Sequence, residues 1–388
     1  MSRIARILGL AIGCASAAVT LATAAAPTRV YVGTYTNTDA KSQGIYLLEL
    51  DPGTGALTSK GLAAETPNPS FLAVHPSRRY LYAVNELDTF EGRKDTGSVS
   101  GFKIDLESGK LAPINQQPSQ GAIPCHLVVD HSGRNVLVAN YSGGSVSVLP
   151  IDLDGKLSPA SSTIKHEGPT ANPTRQPGPR AHSINLDAAN RFAVVADLGL
   201  DKLFVYKFDP ARGQLVPNEP PATFVAPVSG PRHFAFHPNG RYGYAINEIA
   251  CTVTTLAYDP DRGTLRPIKP VSTLPDAVRK GDSTAEIQVD PYGNYVYGSN
   301  RGRGTLAIFS VNPIDGTLVP VGHHPTGGKV PRGFGIDPSG RFLLAANQDA
   351  NTVVSLRING TTGLLEATGH SVAVPTPVCV KFIAPDAP

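Results

Sequence analysis

The sequence has no tryptophan and a single methionine, so 13 tyrosines and 13 phenylalanines must supply its large aromatic side chains. Charged residues make up 17% of the 388 positions and the formal net charge is only +3. No run of lysine and arginine of the kind that follows a nucleic-acid backbone occurs, which argues against nucleic acid as a partner. Helical periodicity is nearly absent, whereas 39 glycines and 35 prolines indicate many turns. The composition therefore predicts an all-β globular protein.

Cysteine is also scarce, with four residues in all: Cys14, Cys125, Cys251 and Cys379. There is no CxxC pair and no spaced histidine pair, so we expect no metal site and no cofactor. Three of these cysteines follow residues 1–26, and an odd number of cysteines cannot all form disulfides in an oxidising compartment. A bridge between Cys125 and Cys379, which occupy nearly equivalent repeat positions, is possible in principle. Buried, unpaired small side chains are the simpler prediction.

A glycine-x-leucine turn recurs seven times along the chain. Its glycines are Gly55, Gly109, Gly155, Gly213, Gly263, Gly316 and Gly363. Successive copies lie between 46 residues (Gly109 to Gly155) and 58 residues (Gly155 to Gly213) apart. β-rich units that repeat at such a period are typical of a propeller, and seven copies predict seven blades.

A longer pattern lies between these turns and has six full copies. They begin at Pro69, Pro124, Arg180, Pro231, Ala285 and Pro331. Each copy reads as an apolar strand, a His or Asp, a tight turn rich in Pro, Ser and Gly, and a second strand that ends near Asn. A third strand follows, and the glycine-x-leucine turn leads into a fourth. Each unit should therefore have four antiparallel strands.

The missing seventh copy is divided between the two ends of the chain. PVCVKFI from Pro377 matches the first strand of the unit, and RVYVGTYT from Arg29 matches the second. We therefore expect N- and C-terminal strands to build the last blade together, which closes the ring and removes exposed sheet edges. Residues 27–388 should form a single seven-bladed β-propeller.

Residues 1–26 have the pattern of a secretory signal peptide. Two arginines precede an apolar core at 7–21, and the Ala-Thr-Ala triplet ending at Ala24 fits the small-x-small cleavage rule. The apolar stretch is short for a membrane anchor, so we expect no membrane span. The mature protein should be exported and soluble, most simply in a bacterial periplasm. Lipidation at Cys14 is a rival interpretation, but the residues before Cys14 fit that pattern poorly.

The repeat also predicts which side chains meet at one mouth of the central channel. The first strand of a blade is innermost, and the second strand returns to the face where the first one starts. Residues that open strand one and close strand two should therefore share one rim. Ionisable residues are concentrated at these positions, namely Glu86, His126, His182, Arg232, His233, Glu248, Glu286, Arg301 and Arg332. Blade packing does not need this density of charge. The concentration of ionisable residues therefore predicts a polar pocket that lies on top of a plugged channel.

Such a pocket is suited to binding an anion and to moving a proton. Arg232, Arg301 and Arg332 can hold a carboxylate or phosphate through paired hydrogen bonds. Glu248 and His182 are candidates for proton transfer or activation of water. A glutamate between two arginines is alternatively a structural ion pair with a lowered pKa. Each arginine alone fits a rim salt bridge as well as a substrate contact, but the cluster as a whole favours a function.

Other recurrent polar residues are predicted to be structural, because they occur in nearly every blade. They are the far-face arginines Arg79, Arg134, Arg191, Arg241 and Arg341, the strand-closing asparagines Asn85, Asn140, Asn247, Asn300 and Asn347, and the turn histidines His75 and His237. The asparagines should tie loops to the backbone. One insertion, residues 161–179, is rich in Pro, Gly, Thr and Asn and is predicted to be a loop over the mouth. A substrate lid and a plain excursion both fit it.

Six longer segments are VYVGTYT, NPSFLAVHP, VANYSGGSVSV, PRAHSINLD, GPRHFAFHPNGRYGYAINE and SNRGRGTLAIF. Together they resemble the lactonase family of seven-bladed propellers, which includes the propeller-type 6-phosphogluconolactonase and the fungal carboxy-muconate lactonising enzyme. The resemblance covers roughly residues 28–385. It implies a site made of His182 in PRAHSIN, Arg232 in GPRH, Glu248 in AINE and Arg301 in SNRG. Arg332 in PRGF is the weaker match for the second arginine.

The resemblance implies metal-free hydrolysis of a sugar lactone by a carboxylic-ester hydrolase of the 6-phosphogluconolactonase type. Arginine would hold an anionic group, Glu248 or His182 would activate water, and backbone or arginine donors would stabilise the oxyanion. The export signal departs from this expectation, since phosphogluconolactone is an intracellular intermediate. An unphosphorylated aldonolactone or a loss of catalysis would account for the difference.

Two other functions stay open. A non-catalytic exported binding or surface propeller is one, because VANYSGGSVSVLPID also resembles repeats of propellers that only bind. A muconate-type lactonising cycloisomerase is the other. The partner is expected to be a small-molecule sugar lactone, and the protein is expected to be a monomer.

Overall fold

Seven four-stranded antiparallel sheets surround a central channel in the computed structural model, which describes residues 26–383. The first three strands of that range belong to the last blade: β1 (Thr28–Thr34), β2 (Gly44–Leu50) and β3 (Leu57–Glu65). Blade one then contains β4 (Leu72–Val74), β5 (Tyr80–Asn85), the small hairpin β6 (Thr89–Phe90) and β7 (Arg93–Lys94), β8 (Ser98–Ile104) and β9 (Leu111–Pro118).

Blades two to six follow in order along the chain. Blade two comprises β10 (Pro124–Val129), β11 (Asn135–Asn140), β12 (Ser145–Pro150) and β13 (Ser162–Lys165), and blade three comprises β14 (Ala181–Leu186), β15 (Phe192–Asp197), β16 (Lys202–Asp209) and β17 (Gln214–Phe224). Blade four comprises β18 (Pro231–Phe236), β19 (Tyr242–Asn247), β20 (Thr252–Asp259) and β21 (Thr264–Ser272). Blade five comprises β22 (Thr284–Val289), β23 (Tyr295–Asn300), β24 (Thr305–Val311) and β25 (Leu318–Pro325). Blade six comprises β26 (Pro331–Ile336), β27 (Phe342–Asn347), β28 (Thr352–Ile358) and β29 (Leu365–Ala373), with a short 3₁₀ turn at Gln348–Ala350.

The last strand, β30 (Pro377–Ile383), completes blade seven by pairing antiparallel with β1. Val32 lies opposite Val380, and the strand order of this sheet is β3-β2-β1-β30. The innermost strands contact one another in turn, and β30 returns to β4, so the ring is closed. The predicted seven-bladed propeller with a blade built from both ends of the chain is confirmed.

The glycine-x-leucine turns join the third and fourth strands and also connect neighbouring blades. The glycine has a positive φ in every copy, between 62° at Gly213 and 82° at Gly55, where side chains other than hydrogen are strained. A Cβ on Gly155 would lie 2.4 Å from the ring of Tyr80 in the preceding blade. The buried hydroxyl of Tyr82 donates to the carbonyl of Gly155 at 2.9 Å, and Tyr31, Tyr244 and Tyr297 make the equivalent contact with the next blade. Tyrosine therefore carries out the blade-to-blade anchoring in a chain without tryptophan.

The polar residues predicted to be structural have structural contacts. Asn85, Asn140, Asn300 and Asn347 each donate a side-chain hydrogen bond to a backbone carbonyl of the loop before their blade. Asn247 differs, because its amide donates to the hydroxyls of Thr252 and Thr254. His75 and His237 each bond a glycine carbonyl of the next blade at 2.8 Å. The far-face arginines are exposed.

The insertion departs in part from its prediction as a loop. Residues 162–165 form β13, the outer strand of blade two, because Lys165 pairs with Ser145 and completes a sheet that would otherwise have three strands. The segment between β13 and β14, residues 166–180, is named the strap below. Cys125, Cys251 and Cys379 are buried and unpaired as predicted, and no helix within residues 26–383 has the length and apolar character needed to cross a membrane. The predicted signal peptide, with Ala24 and Cys14, lies outside the described residues apart from its last position.

Candidate active site

Glu248 is the centre of an arginine cluster at the rim. Strand β19 ends at Asn247, and the backbone N–H of Glu248 donates to Gly230 at 2.7 Å, which fixes the residue where the second strand meets the mouth. Oε2 of Glu248 lies 2.8 Å from Nη2 of Arg301 and 3.2 Å from Nε of Arg232. Oε1 lies 3.0 Å from Nη2 of Arg175, a residue of the strap. Three of the four residues predicted to be catalytic are therefore in direct contact.

The charges in this cluster determine one another. Burial alone would raise the pKa of Glu248, but the guanidinium groups of Arg301 and Arg232 more than compensate, and the pKa is lowered. Burial and the like charge of Arg332 lower the pKa of Arg232 to about 10. At neutral pH the glutamate is consequently a carboxylate and the arginine is still a cation.

His182, the fourth predicted catalytic residue, opens β14 and is 5% exposed. Its ring packs edge-on against Tyr141 at 5.2 Å and against His233 at 5.4 Å between centroids. Sγ of Cys125 lies 3.4 Å from the carbonyl oxygen of His182 and 3.6 Å from its Nδ1. A thiol that donates to the carbonyl accepts Nδ1–H through its sulfur, which leaves the lone pair on Nε2. Burial and the nearby Arg232 lower the pKa of His182 well below 6.5, so the imidazole is neutral at pH 7.

A second group of rim residues surrounds a small cavity next to Arg232. The hydroxyl of Tyr35 donates to both carboxylate oxygens of Glu86, at 3.0 and 2.9 Å. The guanidinium of Arg332 lies 5.2 Å from the centre of the Tyr35 ring. Within residues 26–383, the buried hydroxyl of Ser70 and the Nε group of Arg232 have no hydrogen-bond partner. Both residues line the same cavity as Arg332, so polar groups with unused hydrogen-bonding capacity converge there.

The predicted substrate-binding residues His126, His233 and Glu286 lie one layer below this rim. Nδ1 of His233 is 3.1 Å from Oε1 of Glu286, and Nδ1 of His126 accepts the backbone N–H of Ile184 at 3.3 Å. The His126 ring packs against Phe71 at 4.1 Å. Burial lowers the pKa of both histidines well below 6.5 and raises the pKa of Glu286. The layer directly under Arg232 is therefore polar.

Three residues at the rim were not predicted from the sequence to belong to the site. Arg175 lies in the insertion, where the repeat provides no reference position. Tyr35 follows β1 directly and so occupies the seventh copy of the position held by Glu86 and Glu248. Ser70 shares its repeat position with His182 and Arg232, but its small neutral side chain gives no signal of function. No group of three or more His, Cys, Asp or Glu side chains in the described part of the chain is arranged to hold a metal ion.

Fold and site together define a seven-bladed β-propeller with an arginine-rich pocket at one mouth of its channel. The family model described as "Lactonase, 7-bladed beta-propeller" matches residues 29–382, and the chain belongs to this family. It is 37% identical over 353 residues to a 6-phosphogluconolactonase of Bacillus subtilis, covering 91% of this chain and 97% of the relative. It is 34% identical over 312 residues to a 6-phosphogluconolactonase of Formosa agariphila, covering 79% and 86%. The structure of a periplasmic gluconolactonase of Pseudomonas aeruginosa superposes with a TM-score of 0.86 at 31% identity, covering 92% of this chain and all of that one (100%).

Proposed function

We propose that this protein hydrolyses a sugar lactone to the open-chain acid. The observation that carries the proposal is the convergence of neutral His182 and the Arg232–Glu248–Arg301 cluster on one rim. The relatives that match nearly the whole chain support it, because they bear the names 6-phosphogluconolactonase and gluconolactonase.

His182 is the base in this proposal. Its Nε2 accepts a proton from water while the water oxygen bonds to the lactone carbonyl carbon. The carbonyl oxygen becomes an oxyanion, which the guanidinium groups at the rim stabilise. When the tetrahedral intermediate collapses, the ring C–O bond breaks and the proton on His182 moves to the departing ring oxygen. The products are a hydroxyl group and a carboxylic acid, which ionises in water.

Glu248 is the residue that holds the arginines in place. Both of its oxygens are already in contact with guanidinium groups, and its pKa is lowered, so it is a poor proton acceptor. A carboxylate in this position holds the charges of Arg232 and Arg301 close together before substrate arrives. Preorganised charge of this kind costs little rearrangement during the reaction.

The electrostatics of the pocket support an anionic substituent on the lactone. Four guanidinium groups, those of Arg175, Arg232, Arg301 and Arg332, outnumber the acidic side chains around them, which are Glu86, Glu248 and Glu286. Ser70 has a hydroxyl without a partner and lines the same cavity as Arg332, and these two are the residues we assign to that substituent. A phosphate and a carboxylate have the same hydrogen-bonding chemistry here.

The assay compares glucono-δ-lactone with its 6-phosphate, using a pH indicator to follow the acid released. His182→Asn removes the nitrogen at the Nε2 position, and we expect it to lower kcat by about 100- to 10,000-fold. His131→Asn, at an exposed far-face turn, is the matched control and should retain wild-type kinetics. A wild-type rate equal to the uncatalysed rate on both lactones and on a carboxylated lactone would show that the protein is not a lactonase.

We further propose that the protein is exported and cleaved near Ala24. The support is the charged start, the apolar core and the small-x-small triplet within residues 1–26. N-terminal sequencing of the protein recovered from the periplasmic fraction is the direct test. An intact N-terminus in a cytoplasmic fraction would contradict the proposal.

A further inference from the structure

Beneath the rim, a continuous series of contacts runs from Glu286 to Glu248. Oε1 of Glu286 lies 3.1 Å from Nδ1 of His233, and Nε2 of His233 lies 3.2 Å from Nη1 of Arg232. Nε of Arg232 then lies 3.2 Å from Oε2 of Glu248. The series connects a residue of blade five with the rim cluster through two side chains of β18.

The donors and acceptors in this series have only one arrangement. A guanidinium can only donate, so Nη1 of Arg232 donates and Nε2 of His233 accepts. The remaining proton of a neutral imidazole is then on Nδ1, which donates to the carboxylate of Glu286. The same oxygen of Glu286 also accepts the backbone N–H of Ile287 at 3.0 Å. His126, in the same layer, has the opposite tautomer, because its Nδ1 accepts a backbone N–H.

Arg232 needs such an acceptor because of where it lies. It is 2% exposed, and the like charges of Arg301 and Arg332 are close by. Its Nη1 donates to the carbonyl of Ala285 at 2.7 Å as well as to His233. The Nε of Arg232 has no aligned hydrogen bond, although it lies 3.2 Å from Oε2 of Glu248. The two contacts of Nη1 are therefore the ones that fix the plane of this buried guanidinium.

We infer that His233 and Glu286 form a positioning dyad, in which Glu286 fixes the tautomer of His233 and His233 fixes the plane of Arg232. The role rests on the lactone hydrolysis proposed above, since Arg232 acts there on the oxyanion. It assigns His233 and Glu286 to orientation of the rim, in place of the substrate contact that the sequence predicted for them. Neither residue needs to touch the lactone.

The alternative role for His233 is that its side chain only fills space in the channel. Phe71 at the equivalent repeat position has a side chain that cannot donate or accept a hydrogen bond, and His126 packs on it at 4.1 Å. A filler at position 233 would need volume only. The dyad role needs an acceptor at the position of Nε2, and this difference separates the two roles experimentally.

Two substitutions of His233 test the dyad. Glutamine in His233→Gln carries an oxygen that can reach the Nε2 position, whereas asparagine in His233→Asn reaches only the Nδ1 position. We expect His233→Asn to lower kcat by about 10- to 100-fold, with a smaller change in KM, because Arg232 loses its orientation. His233→Gln should recover to within about threefold of wild type. Equal kcat values for the two variants would overturn the dyad.

A double-mutant cycle adds a second criterion. If His233 acts through Arg232, then His233→Asn should cost little further activity in an Arg232→Lys background. If the double variant instead lost kcat by the product of the two single losses, His233 and Arg232 would have independent roles, and the inference would be overturned. At position 126 asparagine should be the better replacement than glutamine, because asparagine preserves an acceptor at the Nδ1 position for the backbone N–H of Ile184. The melting temperature of His126→Asn should therefore exceed that of His126→Gln.

Nitrogen chemical shifts provide a readout that does not depend on activity. In protein labelled with ¹⁵N-histidine, the imidazole signal that disappears in His233→Gln should have the Nδ1–H pattern at pH 7. An Nε2–H pattern would overturn the inference even for an active enzyme. A wild-type protein without lactonase activity but with the Nδ1–H pattern would contradict the proposed function and would leave the geometry of the dyad supported.

Discussion

Arg175 and Glu248 are 73 positions apart in the chain, yet Nη2 of Arg175 donates to Oε1 of Glu248 at 3.0 Å. The strap that carries Arg175 is attached at two buried residues. Nδ1 of His166 lies 2.6 Å from Oδ2 of Asp197, and the amide of Gln176 donates to the carbonyl of Leu198 at 2.7 Å. Most side chains between these two attachments are exposed. A surface segment with firm ends thus places one positive charge over the pocket.

Arg175→Gln tests what that charge does. About half of the Arg175 side chain is exposed (49%), so the free energy of unfolding should change by less than about 1 kcal/mol. The value of kcat/KM for a 6-phosphorylated lactone should fall several-fold, while that for the neutral lactone stays nearly constant. Steady-state kinetics on both lactones provide the measurement. Arg212→Gln, which removes an exposed charge in a glycine-x-leucine turn, is the control; an equal fall in that variant would assign the effect to overall charge.

Asp197 gives a second prediction, on the attachment of the strap. It occupies the position where five other blades have asparagine, and its Oδ1 accepts the backbone N–H groups of Arg180, Gly199 and Leu200. Asp197→Asn retains that oxygen and can donate its amide to His166, so it should cost less than about 1.5 kcal/mol. Asp197→Ala removes both contacts of a buried pair and should cost about 3 to 5 kcal/mol.

Urea denaturation measures these two costs, and limited proteolysis shows whether the strap has come loose. We expect cleavage within residues 166–180 in Asp197→Ala alone. Comparable stability of the two variants would show that the hydrogen bonds retained by asparagine contribute little to the attachment of the strap.

Glu248→Gln should destabilise the rim itself. The substitution keeps the shape but leaves the mostly buried guanidinium groups of Arg232 and Arg301 without a counter-charge, and we expect a loss of about 3 kcal/mol. Because the pKa of Glu248 is lowered in the folded protein, its stabilising contribution is present above the unfolded value of 4.5 and is lost as the pH falls through the folded value. The difference between wild type and variant in urea titrations should therefore shrink below pH 4.5. A difference that is constant with pH would mean that the charge of Glu248 is not what stabilises the cluster.

The three buried histidines at the mouth predict an acid-sensitive fold. Burial lowers the pKa of His126, His182 and His233 well below 6.5, so the unfolded chain binds more protons than the folded one below that pH. Stability must then decrease as the pH falls, by up to about 4 kcal/mol between roughly pH 7.5 and 5.5 for three such groups. Denaturant titrations at several pH values measure the slope. His126→Asn should reduce the slope by about one proton, and an unchanged slope would exclude His126 from the effect.

The sequence was most informative where the repeat applied. It predicted the closed ring, the use of Arg29 and Pro377 in one blade, and the positions that share the rim, because a propeller converts equivalent positions into neighbours. It could not predict which of those neighbours would touch. His233 and Glu286 occupy the same repeat position in adjacent blades, and only coordinates reveal that one donates to the other.

The positions of side chains outside the repeat could not be predicted from repeat equivalence. Arg175 has no equivalent in another blade, so nothing in the sequence marks it over its neighbours in the strap. Ser70 was visible at a rim position, but an unsatisfied hydroxyl is recognised only when the surrounding donors and acceptors are known.

The pairing of β30 with β1 sets the order of events during synthesis. Every rim residue from Tyr35 to Arg332 has been made before residues 377–383, yet the innermost strand of the seventh sheet is absent until those last residues emerge. Until then blades one and six face each other across a gap, and the pocket has no fixed diameter. Residues 377–383 must therefore be synthesised before the seventh sheet, and with it the rim, can be completed.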